Sequence, residues 1–140
     1  MRSRPMGAHD GPMTTIDSLS TGKYLSLTTF KKDGSAVATP VWLARDGDVL
    51  RVITESESGK AKRIRNGGRV LVAPCDMRGK ISGEQVEATA VLQNDDDTKR
   101  TASLIRARYG LLGRLLMMRA ERAARKAGHT TQVGITITIP

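Results

Sequence analysis

Aromatic side chains are scarce in this chain: Tyr24, Phe30, Trp42 and Tyr109 are the whole set. A core must therefore rest on Val, Ile, Leu and Ala. A platform for single-stranded nucleic acid needs successive aromatics interleaved with basic residues, and the sequence has no such interleaving. Cys75 is the single cysteine, so intrachain disulfides and multi-cysteine metal sites are excluded. That usage fits a reducing, cytosolic compartment, and Cys75 reads as a small core residue. The two histidines, His9 and His129, are not spaced as a metal-binding pair. There is no GxSxG elbow and no GxxxxGK[ST] phosphate loop. No apolar run reaches the ~20 residues that span a bilayer. The opening stretch MRSRPMGAHDGPM is basic without the apolar centre of a signal peptide, and a disordered tail is expected over residues 1–15. No side chain stands out as a nucleophile or general base. An enzyme built on this chain would have a cofactor carry its reaction.

Positive charge, by contrast, is plentiful. The chain of 140 residues suits one domain, expected over 16–140, and carries a net charge of +9. From Thr98 to His129 nine Lys or Arg residues stand against one acid, Glu121, a local charge of +8. Such a field favours an anionic partner. Nucleic acid, acidic lipid and a polyanionic cofactor all qualify, and charge alone does not choose among them.

Hydrophobic patterning predicts the order β-β-β-α-β-β-α-α-β. A short helical turn over Ile16–Gly22 precedes the first strand, KYLSLTTF. Asp33-Gly34 is a strong hairpin signal leading to the return strand AVATPVWLA. Pro40 cannot donate a ladder hydrogen bond, so it implies an edge, a bulge or a ligand-facing irregularity. Asp46-Gly47 turns the chain into VLRVIT, and the three strands form a meander. A short helix is expected over Ser58–Arg65, ended by Asn66-Gly67-Gly68 through a left-handed glycine cap. RVLVAPC and QVEATAVL are the fourth and fifth strands, the former apolar enough to be buried on both faces. The acids Asp95, Asp96 and Asp97 begin a helix that Gly110 closes, and their expected role is capping. A second helix over Leu111–Ala127 shows an apolar face at Leu112, Leu116, Ala120, Ala123 and Ala127. TQVGITITI is the last strand, alternating at Val133, Ile135, Ile137 and Ile139. Six short strands are most economically buried as an antiparallel sheet curled into a small barrel.

The stretch TESESGKAKRIRNGGRV, Thr54–Val70, concentrates five basic residues: Lys60, Lys62, Arg63, Arg65 and Arg69. Thr54 ends a strand, Ser58 opens a helix and Lys60 falls in its first turn. A hydroxyl and an ammonium at the positive end of a helix make a phosphate clamp. On the residues alone a capping Ser58 and a solvated Lys60 are slightly favoured, because charge runs are usually surface.

The segment from Tyr24 to Leu92, above all TPVW, SGKAKRIRN and VAPCDMRG, resembles the split β-barrel flavin and deazaflavin reductases around pyridoxamine 5′-phosphate oxidase. The nearest likeness is to their actinobacterial deazaflavin-dependent branch. The resemblance shifts the balance towards the clamp. It implies a mainly β fold with helices (α+β), a six-stranded antiparallel split β-barrel of the FMN-binding split-barrel type. It also implies a homodimer with the cofactor in a groove at the interface. The strand Thr39, Pro40, Val41 and Trp42 would run beside the cofactor ring, and Thr54, Ser58 and Lys60 would hold its phosphate. The loop from Arg78 to Lys80 would approach from the partner subunit. FMN-using members carry an Arg-x-x-x-x-Lys pattern on the second strand. Here Thr39 and Ala44 stand at those places, which argues for the 8-hydroxy-5-deazaflavin coenzyme F-420 over FMN. Its anionic tail would follow Lys60, Lys62, Arg63 and Arg65, with the +8 helical segment extending the track across the dimer. The implied activity is hydride transfer to a small organic acceptor.

Three other readings stay open at this stage. One is an FMN-dependent oxidase or reductase of the same fold. Another is a non-enzymatic cofactor or nucleic-acid binder. The third is a basic amphipathic helix over 111–127 touching acidic membrane, although its alanine-rich second half suits protein packing better than insertion. Trp42 could line the substrate side or equally be a buried core residue.

Overall fold

The computed structural model describes residues 14–126 and 132–140. The tail expected over 1–15 lies outside the described residues except for Thr14 and Thr15. Thr14 caps helix α1 (Thr15–Ser20): its hydroxyl accepts from Asp17 N–H, and the Asp17 carboxylate accepts from Thr14 N–H. This reciprocal pair satisfies two N–H groups at the helix start.

Strands β1 (Tyr24–Phe30) and β2 (Ala36–Val41) form the first hairpin. Its turn is shaped by Gly34 at φ 89° and by Asp33, whose carboxylate accepts from both the N–H and the hydroxyl of Ser35. The chain continues through β3 (Leu43–Asp46), β4 (Val49–Glu55), helix α2 (Gly59–Asn66), β5 (Arg69–Cys75), β6 (Val86–Leu92), helix α3 (Asp95–Lys126) and β7 (Gln132–Thr138). All pairings are antiparallel, in the order β2-β1-β5-β6-β7-β4-β3. β2 and β3 stand at opposite ends of that order yet are joined through Trp42 alone. The sheet therefore curls until its two ends meet.

Seven strands are present where six were expected. The return strand AVATPVWLA divides at Trp42: its first part pairs with β1 from Leu25↔Val41 onward, and its second pairs with β4 from Leu43↔Val52 onward. The expected meander is thus shared between two half-strands, because one strand cannot ladder to both neighbours once the barrel opens between them.

Leu25, Leu27, Leu43, Leu50, Val52, Val70, Val72, Ile135 and Ile137 fill the barrel and are fully buried. Ile64 of α2 and Leu19 of α1 join them. β5 alternates at its ends rather than burying both faces throughout, since Arg69 is exposed and Leu71 and Pro74 are half-buried. On the outer face, Ala44, Ala102 and Ile105 form a second cluster with Trp42, Ile53, Leu104 and Tyr109, so α3 packs across β3 and β4. A polar chain ties that contact down. Asp46 pairs with Arg51 at 2.9 Å, Arg51 donates to Thr101 Oγ1, Thr101 donates to Gln93 Oε1, and Gln93 Nε2 donates to Thr136 Oγ1.

Two caps differ from expectation. Gly67 closes α2 with extended backbone (φ −174°), not a left-handed conformation. The need for glycine falls instead on Gly68, where a Cβ would stand 2.7 Å from the Ala90 carbonyl oxygen. Ala90 N–H donates to Gly68 O at 2.7 Å across the same contact. At α3, Asn94 is the cap, accepting from Asp97 N–H, and the three acids occupy the first turn. Gly110 breaks α3 at φ 66°, where the helix was expected to close. The apolar face expected at Leu112, Leu116, Ala120 and Ala123 falls on side chains outside the described set, and Ala127 lies outside the described residues. No helix of the described residues is long and apolar enough to cross a membrane.

Candidate functional site

The strand divides at Trp42, and its two halves take different partners. β3 leaves β4 at the Leu43↔Val52 pair, while β4 runs on through Ile53, Thr54 and Glu55, held on its other side by β7. β2 swings away to pair with β1. The strand Thr39–Val41 and the end of β4 thus part from one another, and helix α2 follows the end of β4. Pro40, exposed and opposite Ser26, adds no N–H to this edge. Val41 is buried in the barrel core. Thr39 Oγ1 is buried without a hydrogen-bond partner in the structure, as is Thr28 Oγ1 on the neighbouring strand. A buried hydroxyl left unpaired is costly, so Thr39 marks this edge as a place that accepts a further polar group.

Trp42 is half-buried on the outer face. Its ring stacks on Tyr109 of α3, with centroids 4.4 Å apart and planes 10° apart. Tyr109 donates to Lys23 O at 2.6 Å and accepts from Leu43 N–H at 3.1 Å, and burial pushes its phenol above the ordinary pKa. Trp42 therefore has a packing role at the bend itself.

At the helix start, Thr54 Oγ1 donates to Ser58 Oγ at 3.2 Å, and Ser58 Oγ accepts from Ala61 N–H at 3.1 Å. Ser58 is the N-cap of α2. Lys60 is half-buried in the first turn; burial first, and the neighbouring Arg63 second, lower its pKa from the ordinary lysine value. Two hydroxyls and an incompletely solvated ammonium stand together here.

The remaining predicted residues separate. Lys62 and Arg63 line a cleft of about 460 Å³ with Phe30, Lys31, Lys32 and Arg69. Arg63 Nε donates to Thr29 Oγ1 at 2.6 Å. Arg65 donates to Ser56 O at 3.1 Å, within its own loop. Arg78 and Lys80 are exposed on a turn built by Asp76, whose carboxylate accepts from both of their N–H groups at 2.9 Å. Gly79, at φ 89°, packs on Pro40: a Cβ there would lie 3.6 Å from Pro40 Cδ. The turn from Arg78 to Lys80 thus lies beside Pro40 of its own chain.

Asp76 was not singled out from the sequence, although an aspartate two residues ahead of an N–H it can accept from is a recognisable turn signal. Lys31 and Lys32 read only as hairpin residues. Arg108, counted in the +8 segment, is committed to structure, donating to the carbonyls of Leu43, Ser20 and Gly22. Arg100 pairs with Asp46 at 3.4 Å.

A larger cavity, about 590 Å³, lies elsewhere, between α1 and the loop before β6. Thr15, Leu19, Pro74, Cys75, Glu84 and Val86 are among its lining residues. Among the described residues no basic side chain lines it, and Glu84 does. Among the described residues no group of three or more His, Cys, Asp or Glu is placed to hold a metal ion.

The family described as "Pyridoxamine 5′-phosphate oxidase" matches residues 17–137. No curated protein matches the chain. Among solved structures it is similar to the conserved hypothetical protein Rv2991 from Mycobacterium tuberculosis, at 19% identity over 91% of this chain and 81% of that one, with a TM-score of 0.64. It is similar to an F420 reductase at 18% identity, over 93% of this chain and 96% of that one, with a TM-score of 0.59. It is also similar to HutZ, the heme storage protein from Vibrio cholerae, at 11% identity over 84% and 82% of the two chains, with a TM-score of 0.61. At these identities the likeness is one of fold.

Proposed function

The chain belongs to the pyridoxamine 5′-phosphate oxidase family, and on that footing we propose that it is a cytoplasmic, deazaflavin-dependent reductase of a small organic acceptor, working as a homodimer with the cofactor at the interface. The observation that carries this reading is the strand–helix junction after β4, where Thr54 and Ser58 are hydrogen-bonded and a half-buried Lys60 follows in the first turn of α2. The similarity in fold to an F420 reductase supports it.

The residues present fit such a group. Thr39 Oγ1 is a buried hydroxyl in want of a partner. Pro40 keeps one position of the strand edge free of a donor, and the adjoining backbone can meet the polar rim of a planar ring. Thr54 and Ser58 offer hydroxyls and Lys60 an ammonium to a phosphate at the helix start. The Arg78–Lys80 turn, fixed by Asp76 and seated on Pro40, brings two cations to the same edge. The Trp42–Tyr109 stack holds the bend and so keeps the two strand ends apart.

When bound, a reduced deazaflavin supplies a hydride to the acceptor. The chain's own share is to bind, to orient and to exclude water. No side chain of the described groove is assigned a proton-transfer role, so solvent is the proton source in this account.

A second reading, FMN in the same groove, draws on the same clamp, since Thr54, Ser58 and Lys60 would take its terminal phosphate equally well. Thr39 counts against it, because it does not supply the basic side chain that FMN-using members carry at the first of the two places; Ala44, at the second, lies on β3 and is buried against Ala102 and Ile105 of α3. Fluorescence titration of the apo-protein with oxidised deazaflavin, beside FMN and at two salt concentrations, separates them. Tighter, salt-sensitive deazaflavin binding is expected. Preference for FMN would move the function to a conventional flavoenzyme, and binding of neither would overturn both readings.

A further inference from the structure

The basic cleft on the outer side of α2 is not accounted for by the cofactor groove. Gly59, Lys62, Arg63 and Asn66 recur at three- and four-residue spacing and so share one face of the helix. Lys60, at about 100° per residue of rotation, points off that face. The opposite wall of the cleft comes from the end of the first hairpin strand, Phe30, Lys31 and Lys32, and from Arg69 at the start of β5. Five cations thus line one concavity of about 460 Å³, and no carboxylate lines it.

Two of those cations are held in place. The Arg63 guanidinium is tethered through Nε to Thr29 Oγ1 and folds back over Gly59, where a Cβ would stand 2.7 Å from its terminal nitrogen. Glycine at 59 is what admits it. The Arg69 guanidinium lies 4.6 Å from the centre of the Phe30 ring and pairs with Glu87 at 3.0 Å. Glu87 neutralises part of that one charge. Lys31, Lys32 and Lys62 are exposed and reach in from three positions. Guanidinium groups fixed in advance lose less freedom when they engage an anion, and their fork geometry suits phosphate oxygens. A single phosphate would leave most of the five cations unanswered; several linked phosphates would not.

We propose that this cleft is a second anion site, separate from the cofactor groove, that binds a linear polyphosphate, either free or carried on a nucleoside whose base rests against the Phe30–Arg69 wall. The proposal is independent of which cofactor the groove takes.

Isothermal titration of the full chain with inorganic tripolyphosphate tests it, repeated with adenosine triphosphate. Saturable binding at one site per chain is expected. The Lys32→Gln/Lys62→Gln variant changes only exposed side chains, and Arg69→Gln removes an exposed pair; each should weaken binding by about tenfold or more. Gly59→Ala should weaken it too, by displacing the Arg63 guanidinium. Thermal melts establish that each variant is folded. Tighter binding of adenosine triphosphate than of tripolyphosphate would assign the nucleoside-bound form, and equal binding the free form. Absence of saturable binding, or affinity unmoved by the Lys32/Lys62 and Arg69 variants, would each overturn the proposal.

Discussion

Trp42 and Tyr109 lie ring on ring, 4.4 Å apart, at the one point where the barrel wall changes partners. Tyr109 also bonds the backbone on either side of the barrel opening, at Lys23 O and Leu43 N–H. One α3 side chain therefore fixes the bend. Tyr109→Phe keeps the stack but strips two backbone groups of their partner, and should cost about 1–3 kcal/mol in urea denaturation. Tyr109→Ala removes the stack as well and should cost more than Tyr109→Phe.

Lys60 sets the pH dependence expected of cofactor binding. Its ammonium is the form that attracts a phosphate, and its pKa is lowered by burial and by Arg63. Affinity should be full below that lowered value and fall as pH rises through it, earlier than a solvated lysine would allow. Lys60→Ala should weaken binding by about tenfold or more and flatten the alkaline fall. Titration at a series of pH values reads both effects.

Asp17 governs part of the acid limb. Its bonds with Arg45 first and Thr14 second hold its carboxyl at about 2, below the usual 3.8. The folded-state pKa is the lower one, so the stability it contributes is present above the unfolded value and is lost as pH falls towards about 2. Asp17→Asn should flatten the stability curve in that window while leaving the slope at neutral pH unchanged, as followed by urea midpoints.

Two glycines leave no room for a Cβ, one against backbone and one against a hydrogen-bonded side chain. At Gly68 the added Cβ would meet the Ala90 carbonyl at 2.7 Å, and that carbonyl belongs to a strand held on both sides. Gly68→Ala should destabilise by about 1–3 kcal/mol. At Gly134 the Cβ would collide with the Gln93 carboxamide, which links Thr101 to Thr136. Gly134→Ala should cost a similar amount, and a double-mutant cycle with Gln93→Ala should show strong coupling.

Much of this was legible in the residues because the signals were local. Asp33-Gly34 announced a hairpin, Ser58 a helix start, Gly110 a break, and the alternation from Val133 to Ile139 a final strand. The division at Trp42 was not legible. AVATPVWLA is continuous in strand character, and the bend depends on two pairing partners, β1 and β4, that lie on either side of it in sequence. The cap at Gly67 was misjudged for a similar reason, since Gly68 is needed for contact with β6 rather than for a turn. At the candidate site, Thr54, Ser58 and Lys60 could be read together because they are consecutive across one strand–helix junction. Lys62 and Arg63, which the resemblance gave to the cofactor's anionic tail, line a cleft with the hairpin residues Lys31 and Lys32, a neighbourhood that only the fold reveals. That Arg78–Lys80 sits on Pro40 of the same chain followed from the Asp76 turn, which only the fold reveals.

The central claim is that the strand Thr39–Trp42 and the strand–helix junction after β4 receive the cofactor. The most direct test is amide chemical-shift mapping of the labelled chain during titration with oxidised deazaflavin. The account predicts the largest shifts at Thr39, Val41, Trp42, Thr54, Ser58 and Lys60, with a second group at Arg78–Lys80. Shifts confined to the other large cavity, around Thr15, Leu19, Cys75 and Val86, would contradict it.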